Sequence, residues 1–459
     1  MALSSETQKR LLAGLAPGHW ALDPETRLTY AYDATRRERL PDIVVFPGSV
    51  QEVQHVLAVA DETRTPVYPR GGGTGLSGGA IPVAGGIVLT LERMNRILEI
   101  DEVNFSVTAE AGVKLDNLRD EVARHGLFFP PDPSSGKVAA LGGVLAECAG
   151  GLNVVKYGPI NRYVMRLLAV LPGGELIHAG SKAPKTVTGY DLRHLLIGSE
   201  GTLAVIVEAT LALLAYPRYQ QSFCAFFSSL EVALEGATRI LRAGYRPRSL
   251  EFIDSSSFEC IRAYKPLQLP EGTAAALLVE EDGHDPDDVG RAVRAIAGVV
   301  HKECLEIHLA TTPEERAQIW GLRKAISPAL YKFARYKINE DICVPRGQLV
   351  PAIMGAYQIG REAGLRTVIF GHCGDGNLHV NFMTNDDPDP KAEEAVRKLM
   401  QMVVSLGGTL SGEHGIGTAK APYLGLELSP AEIALQKRLK AAFDPHNILN
   451  PGKIFTHVG

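Results

Sequence analysis

The 459-residue chain is poor in cysteine, with six residues and no C-x-x-C pair among them. Cys148, Cys224, Cys260, Cys304, Cys343 and Cys373 are too scattered to encode a zinc knuckle or an iron–sulfur cluster, so redox chemistry would need another carrier. Long apolar runs are absent too. Nothing reaches the roughly 18 residues of a membrane helix, and the opening MALSSETQKR lacks the apolar stretch of a secretion signal. The expectation is a cytoplasmic protein with no membrane span, at most peripheral to a membrane through a partner. There is also no basic stripe, because the net charge of -5 is spread along the chain, which argues against a nucleic-acid partner. Neither an internal repeat nor a low-complexity tract is visible.

What the chain has in excess is glycine, 47 residues, and the glycines cluster. At this length two or three units share the chain, and glycine clusters mean that backbone comes close to something in several places. The first cluster, PRGGGTGLSGGAIP (69–82), contains a G-x-G-x-x-G match. DIVVFP (42–47) reads as a strand before it, and SVQEVQHVLAVADE (49–62) as a helix with Ser49 and Glu52 in a capping-box pattern. TPVYPR reads as a second strand, and Glu92 stands 19 positions beyond Gly73, as a dinucleotide fingerprint would have it. The fingerprint fails at the next element. A Rossmann glycine loop must open a helix, whereas here Gly78, Gly79, Pro82, Gly85 and Gly86 follow and GIVLTL reads as a strand. What remains is a long loop whose N–H groups can nest an anion without a helix; it also lacks the G-K-[ST] ending of a P-loop.

Two further tracts decide the matter. PPDPSSGKVAALGGVLAECAGGLNVVKYGP (130–159) carries the pairs Gly142-Gly143 and Gly150-Gly151, and GYDLRHLLIGSEGTLAVI (189–206) supplies a third loop before a strand. Separated glycine loops that abut apolar segments suit an elongated dinucleotide, and FAD better than a mononucleotide.

Toward the C-terminus, RTVIFGHCGDGNLHVNF (366–382) reads as strand, break and strand. A two-residue turn at Asp375-Gly376 would set His372 directly opposite His379, with Cβ atoms roughly 4.5–5.5 Å apart, and would put Asn381 on the same face. Two imidazoles on one face can share a metal, or can be packed sheet residues. Glu413, beside His414 in the glycine-bounded loop GGTLSGEHGIG, could complete a two-His, one-carboxylate set suited to zinc, iron or manganese. Cys373 is expected on the opposite face of the hairpin.

The strings PRGGGTGLSGG, PDPSS, CAGGLNVVKYG and GSEGTLAVI, in that order, resemble the FAD-binding domain of the vanillyl-alcohol oxidase superfamily. GHCGDGNLHVNF, SGEHGIG and FDPHNILNPGKIF narrow the resemblance to the FAD-linked D-2-hydroxyacid dehydrogenases, a family that includes the glycolate oxidase catalytic subunit, D-lactate dehydrogenases and D-2-hydroxyglutarate dehydrogenase. The resemblance runs from about residue 40 to the C-terminus. It implies FAD contacts at Arg70, Gly71, Gly72, Gly73, Thr74, Gly75, Leu76 and Gly78 in the first tract. In the second it implies Pro131, Asp132, Ser134, Gly142, Gly143, Glu147, Cys148, Ala149, Gly150 and Tyr157, and in the third Glu200, Gly201 and Ile206. Thr74 stands at the place where some superfamily members carry a flavin-linked histidine, so non-covalent FAD is implied. The resemblance further assigns His372, His379 and Glu413 to a divalent metal, and Asn381 and His414 to substrate. Arg323 is implied for the substrate carboxylate, with Ser327 one helical turn along and Lys337 nearby. Histidine is the side chain suited to accept the hydroxyl proton as hydride leaves, the role open to His414.

The expected architecture is α+β: a two-lobed FAD-binding domain with an N-terminal helical arm over 1–217, and an antiparallel-sheet substrate domain covered by helices over 218–410. A C-terminal segment, 411–459, completes the active site and returns to the FAD domain. The implied activity is FAD-dependent oxidation of a small D-2-hydroxy acid, glycolate or D-lactate, to the 2-oxo acid. Electrons would pass to a separate acceptor: an iron–sulfur subunit, an electron-transfer flavoprotein or a quinone. The alternatives are D-2-hydroxyglutarate oxidation, and a non-catalytic FAD-binding subunit of a larger complex, which would have no need of the C-terminal His and Glu residues together. A metal-dependent hydrolase is a third, and it would leave the glycine loops unexplained.

Overall fold

The computed structural model describes residues 3–455. The chain makes two compact units. The first comprises the residues up to Gly150, Pro159–Tyr216, and the residues from Glu413 onward; the second comprises Gly151–Gly158 and Pro217–Gly412.

In the first unit, the β-branched run Ile43–Val45 is wholly buried and forms a strand. The helix Val50–Thr63 returns the chain to the strand Val67–Arg70, which pairs in parallel with Ile87–Thr90. Ser49 caps the helix by accepting a hydrogen bond from Glu52 N. Only half of the capping box forms, because the Glu52 carboxylate is spent on Gly48 N and His19. Between Arg70 and Ile87 the backbone takes left-handed values at Gly73, Gly78, Gly85 and Gly86, so a loop connects the two strands and no helix intervenes. A second lobe is a five-stranded antiparallel sheet in the order Ile97–Asp101, Ser106–Glu110, Val205–Ala212, Val164–Val170, Leu176–Gly180. The tail closes this unit. Val67 N donates to Ile448 O, Asn450 N donates to Val67 O, and Ile448 and Leu449 join the core formed by Val53, Leu57, Ile87 and Val207.

The second unit is a seven-stranded antiparallel sheet with helices over it. Its strands are Glu306–Leu309, Tyr219–Phe227, Ala275–Gly283, Ser249–Asp254, Arg366–His372, Asn377–Thr384 and Tyr336–Cys343, in spatial order. Residues 151–158 belong to this unit, although the sequence reads them with the FAD unit. The cause is electrostatic. Asp282 is buried and needs donors; it receives the Tyr157 hydroxyl at 2.9 Å, Lys156 Nζ at 2.6 Å and Arg248 Nη1 at 3.0 Å, while Arg248 Nε reaches Asn153.

Candidate functional site

A cavity in the first unit is walled by residues 70–76 and 133–135, by the helix Leu141–Glu147, and by Ala149, Glu200, Gly201 and Ile206. Glu413 and His414 line it as well. The glycines are there for close approach. A Cβ at Gly72 would stand 2.3 Å from Val138 O. Gly142 and Gly143, expected in a loop, lie within the helix. Its first donors are already used, Leu141 N on Val113 O and Gly142 N on Ala111 O, and a Cβ at Gly142 would meet Ala111 Cβ at 2.9 Å. The pair therefore lets helix and loop backbones touch; it does not form a turn.

Ser134, Gly142, Gly143 and Glu147 line the cavity along with the expected residues of the first and third tracts, apart from Gly78. Ala149 lines it too, whereas the remaining expected cofactor positions do not. Gly78 lies beneath Lys453, whose Nζ donates to its carbonyl. Asp132 is paired with Arg119 at 2.6 Å, and Pro131 is buried. Cys148 ends the helix in the left-handed region, and burial pushes its thiol pKa up. A Cβ at Gly150 would stand 2.5 Å from Glu413 Oε2, and Tyr157 is held by Asp282 in the second unit. Ala111, Gly112, Lys114 and Asn450 line the cavity without having been singled out in the sequence.

Two acids sit in the cavity wall. Burial, and then the charge of Glu200, drives the Glu147 pKa well above the carboxylate range; burial also raises that of Glu200, although Ile416 N and Gly417 N each donate to it at 2.7 Å. Glu147 Oε2 has no such donor, so Glu147 keeps its proton longer than Glu200 does. Nearby, burial lowers the Lys453 amine to about 8. A carboxyl whose folded pKa is raised binds a proton that the unfolded chain has released. Its stability contribution therefore falls as pH rises from the unfolded value of about 4.3 through the folded one. Glu147→Gln is expected to melt with wild type at pH values near 4.3 and above it at neutral pH, in FAD-free protein followed by thermal unfolding. A pH-independent difference would contradict this.

In the second unit, the strands Arg366–His372 and Asn377–Thr384 form the hairpin expected from the sequence, but in a different register. His372 pairs with Asn377 and His379 with Phe370, so residues 373–376 form a four-residue loop in place of a two-residue turn. Asp375 N and Gly376 N both bond to His372 O, and Gly376, at φ +93°, passes so close to Val344 O that no side chain fits. A shift of two residues preserves the face, because side chains alternate with period two. The histidines are thus diagonal neighbours, their rings 5.2 Å apart and nearly perpendicular. Cys373 is buried, with its thiol on Leu250 O.

Each histidine has a carboxylate neighbour that the sequence reading did not single out. Glu251 accepts from His372 Nδ1 at 2.5 Å and from Arg323 Nε at 2.8 Å. Burial opposes its ionisation, but the neighbouring His372 and Arg323 outweigh that and hold its pKa below the usual range. Asp341 is the cross-strand partner of His379, and it accepts from Asn377 Nδ2 and Ser411 Oγ. A signal was present in SLEFID, where an acid interrupts an apolar strand that is buried on both faces. Arg323 and Ser327 share a face of the helix Pro313–Leu330, and Lys337 Nζ donates to Ser327 Oγ at 3.0 Å. Asn381 is fully buried; its carbonyl oxygen accepts from Asn339, and its amide donates to Val368 O. Two imidazoles flanked by buried carboxylates are a donor set for a divalent cation, and the glycine-walled cavity suits a dinucleotide.

Residues 41–180 match the family described as FAD binding domain, and residues 216–454 match FAD linked oxidases, C-terminal domain. The chain is 38% identical to the glycolate oxidase subunit GlcD of Bacillus subtilis, over 99% of this chain and 97% of that protein. It is 37% identical to the D-lactate dehydrogenase of Archaeoglobus fulgidus, over 90% and 91%, and 35% identical to the D-2-hydroxyglutarate dehydrogenase of Xanthomonas citri pv. viticola, over 93% and 92%. In fold it is similar to p-cresol methylhydroxylase, with a TM-score of 0.81 at 18% identity, covering 98% of this chain and 96% of that one.

Proposed function

Because the chain belongs to the FAD-linked oxidase family, whose hydroxy-acid-oxidising members it matches nearly end to end, we propose that it oxidises glycolate or D-lactate to the 2-oxo acid. FAD, when bound, supplies the hydride acceptor, and a zinc, iron or manganese ion supplies Lewis acidity. Residues 70–76, the helix Leu141–Glu147 and Glu200-Gly201 hold the dinucleotide, non-covalently. His372, His379 and Glu413 hold the metal. Glu413 follows Gly412 directly, and a Cβ on Gly412 would stand 3.0 Å from the carboxylate of Asp341, the cross-strand partner of His379.

Arg323 binds the substrate carboxylate, with Ser327 and Lys337 beside it and Asn381 contributing from the hairpin; His414 accepts the hydroxyl proton. The observation that carries this reading is the histidine pair with its buried carboxylates, which a subunit serving only to bind FAD would not need. A second reading, D-2-hydroxyglutarate oxidation, draws on Lys337 as another cation, bonded to Ser327 one helical turn from Arg323. Electrons leave for a separate acceptor, an iron–sulfur subunit, an electron-transfer flavoprotein or a quinone. None of the helices among the described residues is long and apolar enough to cross a membrane.

The test is anaerobic bleaching of the flavin in metal-replete protein by glycolate, D-lactate, L-lactate and D-2-hydroxyglutarate. Bleaching by glycolate or D-lactate and not by L-lactate is expected. Bleaching by D-2-hydroxyglutarate alone would replace the first reading with the second, and no bleaching by any of the four would end both.

A further inference from the structure

We propose that Glu251 is a positioning residue shared between His372 and Arg323, so that one buried carboxylate couples the hold on the metal to the hold on the substrate anion. This rests on the function proposed above. Glu251 is fully buried, and each of its oxygens serves a different partner, Oε1 the His372 ring and Oε2 Arg323 Nε. An ionised carboxylate only accepts, so the proton lies on His372 Nδ1 and the Nε2 lone pair remains for a cation. Such a carboxylate fixes the tautomer and raises the basicity of the imidazole.

The same group fixes Arg323. The guanidinium bonds Glu251 through Nε and rests 4.5 Å over the Phe370 ring, which packs against His379 at 5.4 Å between ring centroids. His372 and Arg323 therefore draw on one negative charge. When a substrate carboxylate neutralises Arg323, more of that charge falls to His372 and the metal is held more tightly. Reciprocity then requires that metal tighten the anion.

The test uses full-length, FAD-loaded protein stripped of metal and titrated with Co²⁺ against a chromophoric chelator. Glu251→Gln keeps the shape but loses the charge, and is expected to weaken Co²⁺ binding by roughly 10- to 100-fold, with FAD content and cooperative melting retained. Should that variant not fold, Arg323→Gln leaves Glu251 entirely to His372 and is expected to tighten Co²⁺ several-fold. Co²⁺ affinity unchanged in Glu251→Gln, or in Arg323→Gln where the first variant does not fold, overturns the proposal. Wild-type protein that binds no Co²⁺ overturns it together with the metal reading, whereas normal wild-type binding with unresponsive variants removes Glu251 alone.

Discussion

His414→Ala is expected to purify with its full complement of FAD and to lose roughly 10²- to 10⁴-fold in the rate at which substrate reduces the flavin. The two halves of that expectation have separate causes. FAD retention follows from the many other residues that wall the cavity, so the loss of one half-buried ring leaves the loop and helix contacts intact. The rate loss follows from removing the group that takes the hydroxyl proton, since without it the proton must go to water while the hydride departs. Rapid-mixing reduction under anaerobic conditions reads the step directly. Unchanged reduction would take the base role from His414, and a colourless variant would mean that the ring supports the cofactor.

His379→Ala is expected to lose the metal and nearly all turnover. The ring is buried between His372 and Phe370, so its removal deletes a ligand and leaves a hole against two aromatic neighbours. Loss of a ligand should cost more than the roughly 10- to 100-fold expected for loss of the carboxylate that supports the other histidine, His372, which places this variant below Glu251→Gln in any ranking of Co²⁺ affinity. All the residues walling the glycine-lined cavity lie in the first unit, so the variant should remain yellow. Chelator competition and flavin bleaching with excess metal distinguish the outcomes. Wild-type turnover with no metal bound would remove the cation from the reaction.

The strand–loop–strand around residues 70–90 was legible because local chemistry decides it. Five punctuating glycines and prolines between 78 and 86 exclude a helix, and no tertiary contact can restore one. The face of the histidine hairpin was legible for a similar reason, the period of two, which survives a change of loop length. The register itself was not. Asp375-Gly376 has the composition of a tight turn, but His372 O captures both of its N–H groups, and Val344, from distant sequence, presses on Gly376. Gly142-Gly143 misled in the same way, since glycine that permits helix packing looks in sequence like glycine that permits a turn. Glu251, Asp341 and the placement of residues 151–158 depend on partners 36 to 126 positions away. A single sequence can raise the question of a charge in an apolar strand but cannot say which residue answers it.

The closing of the first unit by Ile448 and Leu449 bears on how the protein is made. A ribosome makes those two residues only after every strand of the second unit, so the nascent first unit waits with part of its apolar interior uncovered while its neighbour is synthesised. Loss of Ile448 and Leu449 would therefore damage strands made long before them.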